Sequence, residues 1–398
     1  MDISRLRADT PAAAQQTFLH SAGASLMPAP VVAAMHAFLD LEASVGGYAA
    51  FEQQSEALAD VYDSVARLIN AHPDEIAMME SATAAWQMAF YSVAFEPGDV
   101  VLTCEAEYGA NFVALLQMQR RLGIVIDVVP SDPETGEISL AALRGKMTDR
   151  VRLISLTWVP TNGGLVNPAA EVGKIAREHG VAYLLDACQA VGQLPVDVED
   201  LGCDMLSATG RKFLRGPRGT GFLYVRRDYM DRLEPHMIDH FSAEWTGVNH
   251  YTLRPDAKRY ETWESNYIAR RGLGVAVDYA LEVGIEAIAR RCTTLAAGLR
   301  SGLGAIDGVQ VRDLGRTPCA ITTFTVDAVA AADVVRHAAN AGIVMGASSP
   351  SSTLLDATRR RLPDVVRASP HYFNTEDDIV RLIEFVDGLA RQTRGARA

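Results

Sequence analysis

The chain has 398 residues, 48% apolar and 22% charged, an ordinary composition for a soluble globular protein with room for one large and one smaller domain. Its net charge of −12 argues against nucleic acid or an anionic membrane as the main partner, and no apolar run approaches the roughly 18 residues of a membrane span. The first residues lack a charged-then-apolar signal pattern, and the five cysteines are irregularly spaced without a CxxC, which points away from a disulfide framework or zinc site and toward a cytoplasmic protein with reduced thiols.

In chain order, short apolar runs predict strands at 76–79, 100–103, 125–129, 151–158, 181–185, 205–208 and 221–225. Several are apolar throughout rather than alternating, as strands covered on both faces are. Helical patterns lie between many of them, for example 168–179 with Val172, Ile175 and Ala176 on one face. This alternation predicts an α/β fold, a mostly parallel central sheet with helices on both faces. After about residue 255 the texture changes. A long helical stretch at 273–303 has a break near Gly284. Strands follow at 309–311, 321–326 and 365–368, with a helix at 331–340 between them. Thr375 is placed to cap a last helix whose apolar stripe is Ile379, Leu382, Ile383, Val386 and Leu389. The expected division is a large cofactor-binding domain at 16–255, a small α+β domain at 256–398 and an N-terminal arm at 1–15.

Lys212 stands out by its setting. It follows the strand at 205–208 and precedes the glycine-rich turn Gly216-Pro217-Arg218-Gly219-Thr220-Gly221. Strand ends in α/β sheets are where sites are built. Asp186 ends the apolar run Tyr183-Leu184-Leu185, a costly place for an unpaired carboxylate. An amine that forms a Schiff base and a carboxylate that pairs with a pyridinium nitrogen are the two groups pyridoxal phosphate needs most. A solvated lysine and a helix-capping aspartate are the ordinary uses of these residues; their combination favours the cofactor. Gln189 is placed to reach the cofactor's phenolic oxygen. Ser81, Thr83 and Ala84 open a helix after the strand at 76–79, an arrangement that binds anions. Thr209 and Arg211 add a hydroxyl and a charge beside Lys212. Tyr108 could stack on the ring, and Arg367, inside a short apolar strand, could clamp a carboxylate.

These segments together resemble the class V aminotransferase family, pyridoxal phosphate enzymes of fold type I that include cysteine desulfurases, isopenicillin N epimerase and several C–S lyases. The Asp-x-x-Gln motif matches Asp186 and Gln189. The Ser/Thr-x-His-Lys motif matches Thr209 to Lys212, with Arg211 where histidine is usual. The resemblance implies phosphate contacts from Thr83 and from Ser265 across a homodimer interface, ring stacking by Tyr108, and substrate contacts from Arg367 and Thr161. It also implies a small amino-acid substrate. Desulfurases of the family carry a nucleophilic cysteine on a loop before the carboxylate arginine, and residues 346–353 hold none. Cysteine-nucleophile desulfuration is therefore not expected. The expectation is a C–S (β-elimination) lyase acting on a cysteine-derived substrate. The alternatives are an epimerase or racemase of the isopenicillin-N-epimerase-like type, with Tyr108 or His20 as second acid, an aminotransferase, and a binding module of the same fold without catalysis.

Overall fold

The computed structural model describes residues 1–395. A short strand, β1 (Thr17–Phe18), leads into helices Ala29–Val45, Gly47–Gln53 and Ser55–Ile69. A seven-stranded sheet follows, from β2 (Ile76–Met79), β3 (Val100–Cys104), β4 (Val125–Val129), β5 (Val151–Thr157), β6 (Ala182–Asp186), β7 (Met205–Thr209) and β8 (Gly221–Val225). Its order is β2-β8-β7-β6-β5-β3-β4, and β8 alone runs antiparallel to its neighbours. Every residue of β2, β6, β7 and β8 is buried, which is why these segments read as largely apolar runs without polar alternation. Separate core clusters contain alternate residues of the strands, such as Leu185 in one and Leu184 in another, because successive side chains point to opposite faces.

A hairpin, β9 (Ala243–Gly247) and β10 (His250–Leu253), projects after the sheet. The stretch expected as one broken helix is two, Tyr267–Val283 and Ile285–Gly304. They meet at Gly284, whose φ of +89° favours glycine. Beyond them a four-stranded antiparallel sheet forms from β11 (Val309–Val311), β12 (Thr322–Val326), β14 (Gly346–Ser348) and β15 (Val365–Ala368). Between its members β13 (Ile343–Val344) pairs with β1. The last helix, Glu376–Gly395, begins with a reciprocal cap: Asp378 N–H donates to Thr375 Oγ1 at 3.3 Å, and Thr375 N–H donates to Asp378 Oδ2 at 3.0 Å. The N-terminal helices and the hairpin were not anticipated; Ala29–Val45 has only Val31 and Phe38 buried, too sparse a stripe to read.

The two sheets are joined through His371. Its Nε2 donates to Phe213 O at 2.6 Å, and its Nδ1 accepts Tyr372 N–H at 2.9 Å. A second proton would meet Tyr372 N–H, and burial, with Arg215 nearby, lowers the ring's pKa to about 3. The folded pKa is depressed, so this contribution to stability is present above the unfolded value of about 6.5 and is lost as pH falls toward 3. Thermal melts from pH 7 to 4 should show falling stability, and His371→Gln should start lower but flatten that dependence. An equally steep acid loss in the variant would remove His371 as the cause.

Candidate active site

β2 runs parallel to β7 and β6, since both β2 and β7 are antiparallel to β8. The carboxyl ends of β2, β3, β5, β6 and β7 therefore lie along one edge. Connections from β3 lead outward to β4, whereas those from β5 lead the other way through β6 to β7. The switch between β3 and β5 leaves a crevice at that edge, where open α/β sheets bind ligands.

The residues singled out in the sequence arrive there on separate strand ends. Thr83 follows β2, Tyr108 follows β3, Thr161 follows β5, Asp186 ends β6, and Lys212 follows β7. Two adjoining cavities hold them. One is lined by Ser81, Thr83, Asn111, Thr209 and Arg211, the other by Thr157, Thr161 and Gln189. Tyr108, Asp186, Cys188 and Lys212 line both. Arg367, on β15, reaches the second cavity through Thr161, donating from Nη1 to its carbonyl at 3.2 Å and to its hydroxyl. Ala84 and Ser265 are not among the lining residues. The Ala84 N–H is taken by Ser81 Oγ at 3.1 Å, and Ser265 Oγ accepts from Arg270 at 3.2 Å beside a different cavity.

Lys212 Nζ is buried and donates to Cys188 Sγ at 3.2 Å. Burial lowers its pKa, and the charges of Arg211 and Arg367 add to this, against the opposing pull of the Cys188 thiol. Asp186 Oδ1 accepts Cys188 N–H at 2.9 Å, and Oδ2 accepts Asn111 Nδ2 at 2.8 Å. Burial raises the Asp186 pKa despite these bonds. Arg211 donates to the carbonyl of Gly23, which ties the N-terminal segment over the site. Glu107, Asn111, Thr157 and Cys188 are here without a role assigned from sequence. Glu107 and Asn111 are four apart at a helix start, a spacing that puts them side by side. Cys188 was visible only as the residue before Gln189.

The pocket fits pyridoxal phosphate. Asp186 has no cation in an ion pair among the described residues, so a positively charged ring nitrogen would complete it. Gln189 Oε1 and Arg367 Nε are buried without partners. The first turn of helix Ala82–Tyr91 has N–H groups that lack intrahelical acceptors. Gly221 is backed so closely against that turn that a Cβ would meet Ala82 N at 3.1 Å and Ala208 O at 2.5 Å.

Such a strand-end site in a doubly covered sheet defines a pyridoxal phosphate enzyme of the aminotransferase type. The model of the family Aminotransferase class-V matches residues 17–382, and the chain belongs to that family. Its cofactor is pyridoxal phosphate. A probable cysteine desulfurase of Methanothermobacter thermautotrophicus is 28% identical, covering 98% of each chain. Among solved structures, the apo cysteine desulfurase of Thermococcus onnurineus NA1 superposes with a TM-score of 0.90 at 23% identity, over 98% of each chain. A C-DES mutant with glycine covalently linked to its pyridoxal phosphate cofactor gives 0.87 at 23% identity, over 96% of this chain and 98% of the other.

These relatives overturn the expected reaction. The missing cysteine in 346–353 had excluded desulfuration in favour of β-elimination, epimerisation or transamination. Curated relatives from several organisms are nonetheless described as probable cysteine desulfurases. The inference from the loop failed because a missing protein thiol limits where sulfur can go, not whether the Cβ–S bond breaks.

Proposed function

We propose that the chain is a cysteine desulfurase that delivers sulfur to an external thiol. The observation that carries this reading is the loop 346–353. It packs over the site, with Ser351 O only 2.7 Å from where a Cβ on Gly109 would lie and Thr353 Oγ1 accepting from Asn162 Nδ2 at 3.4 Å, yet it presents only hydroxyls and small side chains. Descriptions of the relatives supply the reaction class.

Pyridoxal phosphate, when bound, supplies an aldehyde for the substrate amine and a ring that accepts electrons from the α-carbon. Asp186 would pair with the ring nitrogen, Gln189 with the phenolic oxygen, and Thr83, Thr209 and Arg211 with the phosphate. Tyr108 would cover the ring face. Arg367 and Thr161 would hold the substrate carboxylate, and Lys212 would remove and return the α-proton as a neutral amine. An external thiolate then attacks the substrate sulfur. One S–S bond forms, the Cβ–S bond breaks, and its electron pair at Cβ takes a proton. Cysteine and a thiol give alanine and a persulfide, with atoms and electrons balanced.

The same proposal includes a homodimer in the cytoplasm. Among the described residues no helix is long and apolar enough to cross a membrane, and no disulfide forms. Exposed Tyr48, Phe51 and Trp263 line a cavity of about 370 Å³ with Ser265, an apolar surface suited to a second copy and to a phosphate contact from it. In this arrangement 16–255 carries the cofactor and 256–398 supplies Arg367.

The deciding experiment incubates the cofactor-loaded protein with cysteine, with and without dithiothreitol, and measures alanine, pyruvate and sulfide. Alanine that depends on dithiothreitol is expected. Alanine that instead requires Cys188, lost in Cys188→Ser, would move the acceptor into the pocket. Pyruvate with ammonia in place of alanine would overturn the desulfurase reading.

A further inference from the structure

Glu107 is a buried carboxylate, 3% exposed, that no Lys or Arg pairs with among the described residues. It accepts five hydrogen bonds instead. Oε2 accepts Thr103 Oγ1 at 2.8 Å and Ser155 Oγ at 3.3 Å. Oε1 accepts Tyr108 N–H at 2.8 Å, Asn111 Nδ2 at 3.0 Å and the hydroxyl of Thr157. Burying an ion without a counter-charge costs several kcal/mol even when hydrogen-bonded. A neutral side chain would tie β3 to β5 through those hydroxyls without that cost, so a carboxyl group at this position calls for a use.

Asn111 shows what the use is. Its single Nδ2 points at two carboxylates, Glu107 at 3.0 Å and Asp186 at 2.8 Å. The amide has two hydrogens and both are spent. Turning it over would set Oδ1 against two carboxylate oxygens, so the orientation is forced. Asp186 is thereby held at both oxygens, by Asn111 on one and by Cys188 N–H on the other. Glu107 also grips the backbone at Tyr108, so two groups that face the cofactor from different directions hang from one anion. Burial raises the Glu107 pKa, the like charge of Asp186 adds to it, and the donated hydrogen bonds oppose both, as expected for two carboxylates sharing one amide.

We infer that Glu107 is a positioning residue that acts through Asn111: it fixes the orientation of Asp186 and adds a second negative charge behind it, which keeps the ring nitrogen of the cofactor protonated. This deepens the proposed function and rests on its assignment of Asp186 to the ring nitrogen. A base facing two aligned carboxylates holds its proton more tightly than beside one, because the interior screens charge weakly. A purely structural Glu107 would leave that nitrogen unchanged.

The test reads the nitrogen itself. The protein is loaded with pyridoxal phosphate labelled with 15N in the ring, and the 15N resonance is recorded without substrate for the wild type, Glu107→Gln, Asn111→Ser and Asp186→Asn. The expected result is a protonated nitrogen in the wild type, loss of that signal in Asp186→Asn, and a move toward the unprotonated position in both Glu107→Gln and Asn111→Ser at unchanged cofactor stoichiometry. The rate of substrate α-proton exchange, measured separately, should fall in step with the loss of protonated nitrogen. A nitrogen that stays protonated in Glu107→Gln, or in Asn111→Ser should Glu107→Gln not fold, overturns the proposal. A nitrogen still protonated in Asp186→Asn would defeat the assignment of Asp186. Because no substrate is present in the 15N measurement, neither result depends on whether alanine is formed.

Discussion

Lys212→Ala is expected to lower α-proton removal by about 10²- to 10⁴-fold, the range for a positioned base, and to weaken cofactor retention as well. The amine's surroundings explain why. Lys212 is buried, pairs with no carboxylate among the described residues, and makes its one side-chain hydrogen bond among them to the thiol of Cys188 at 3.2 Å. Burial and the charges of Arg211 and Arg367 push its pKa below the ordinary lysine value, so more of it is neutral at working pH. A neutral amine can take a proton; an ammonium cannot. Lys212→Arg should be as impaired as Lys212→Ala, because a guanidinium stays charged. Added ethylamine should restore part of the exchange in Lys212→Ala and none in Lys212→Arg, where the cavity remains filled. The measurement is deuterium incorporation at the α-carbon of cysteine or alanine in heavy water. Wild-type exchange in Lys212→Ala would remove Lys212 from the reaction.

Much of this was legible in the sequence. β2, β6, β7 and β8 are buried along their whole length, so their residues are mostly apolar, and an aspartate or a lysine at their ends stood out against that background. The capping pair Thr375 and Asp378 was legible because both partners lie in one turn. What was hidden depends on contacts between distant segments. Asn111 and Asp186 are 75 residues apart, and nothing local says that one amide bridges two carboxylates. Arg211 departs from the usual histidine, and its bond to Gly23 crosses 188 residues. The reaction was misread for a different reason. A loop without a thiol is a local fact, whereas a desulfurase of the proposed kind passes its sulfur to a molecule that is not encoded in the chain.

Arg367 allows a binding role to be tested against a structural one. The residue is only 9% exposed, yet among the described residues the polar contacts of its guanidinium are to Thr161 alone, and Nε has no partner. Burial, with a smaller push from Arg211, lowers its pKa to about 10, which leaves it ionised at neutral pH. A buried cation that finds no anion among the described residues costs folding energy, and replacing buried charge with an apolar side chain of similar size is often neutral or stabilising. Arg367→Met is therefore expected to melt at the same temperature as the wild type or higher in the absence of substrate. The same change should raise KM for cysteine by about 10²- to 10⁴-fold, the worth of two charge-assisted hydrogen bonds at about 1.5–3 kcal/mol each. Arg367→Lys should recover only part of this, since an ammonium cannot grip a carboxylate at two points. Cysteamine, which lacks the carboxylate, gives the discriminating control. The wild type should strongly prefer cysteine over cysteamine, and Arg367→Met should handle the two alike. If Arg367→Met instead unfolds at lower temperature and keeps its preference for cysteine, the guanidinium is a structural brace and the carboxylate is held elsewhere.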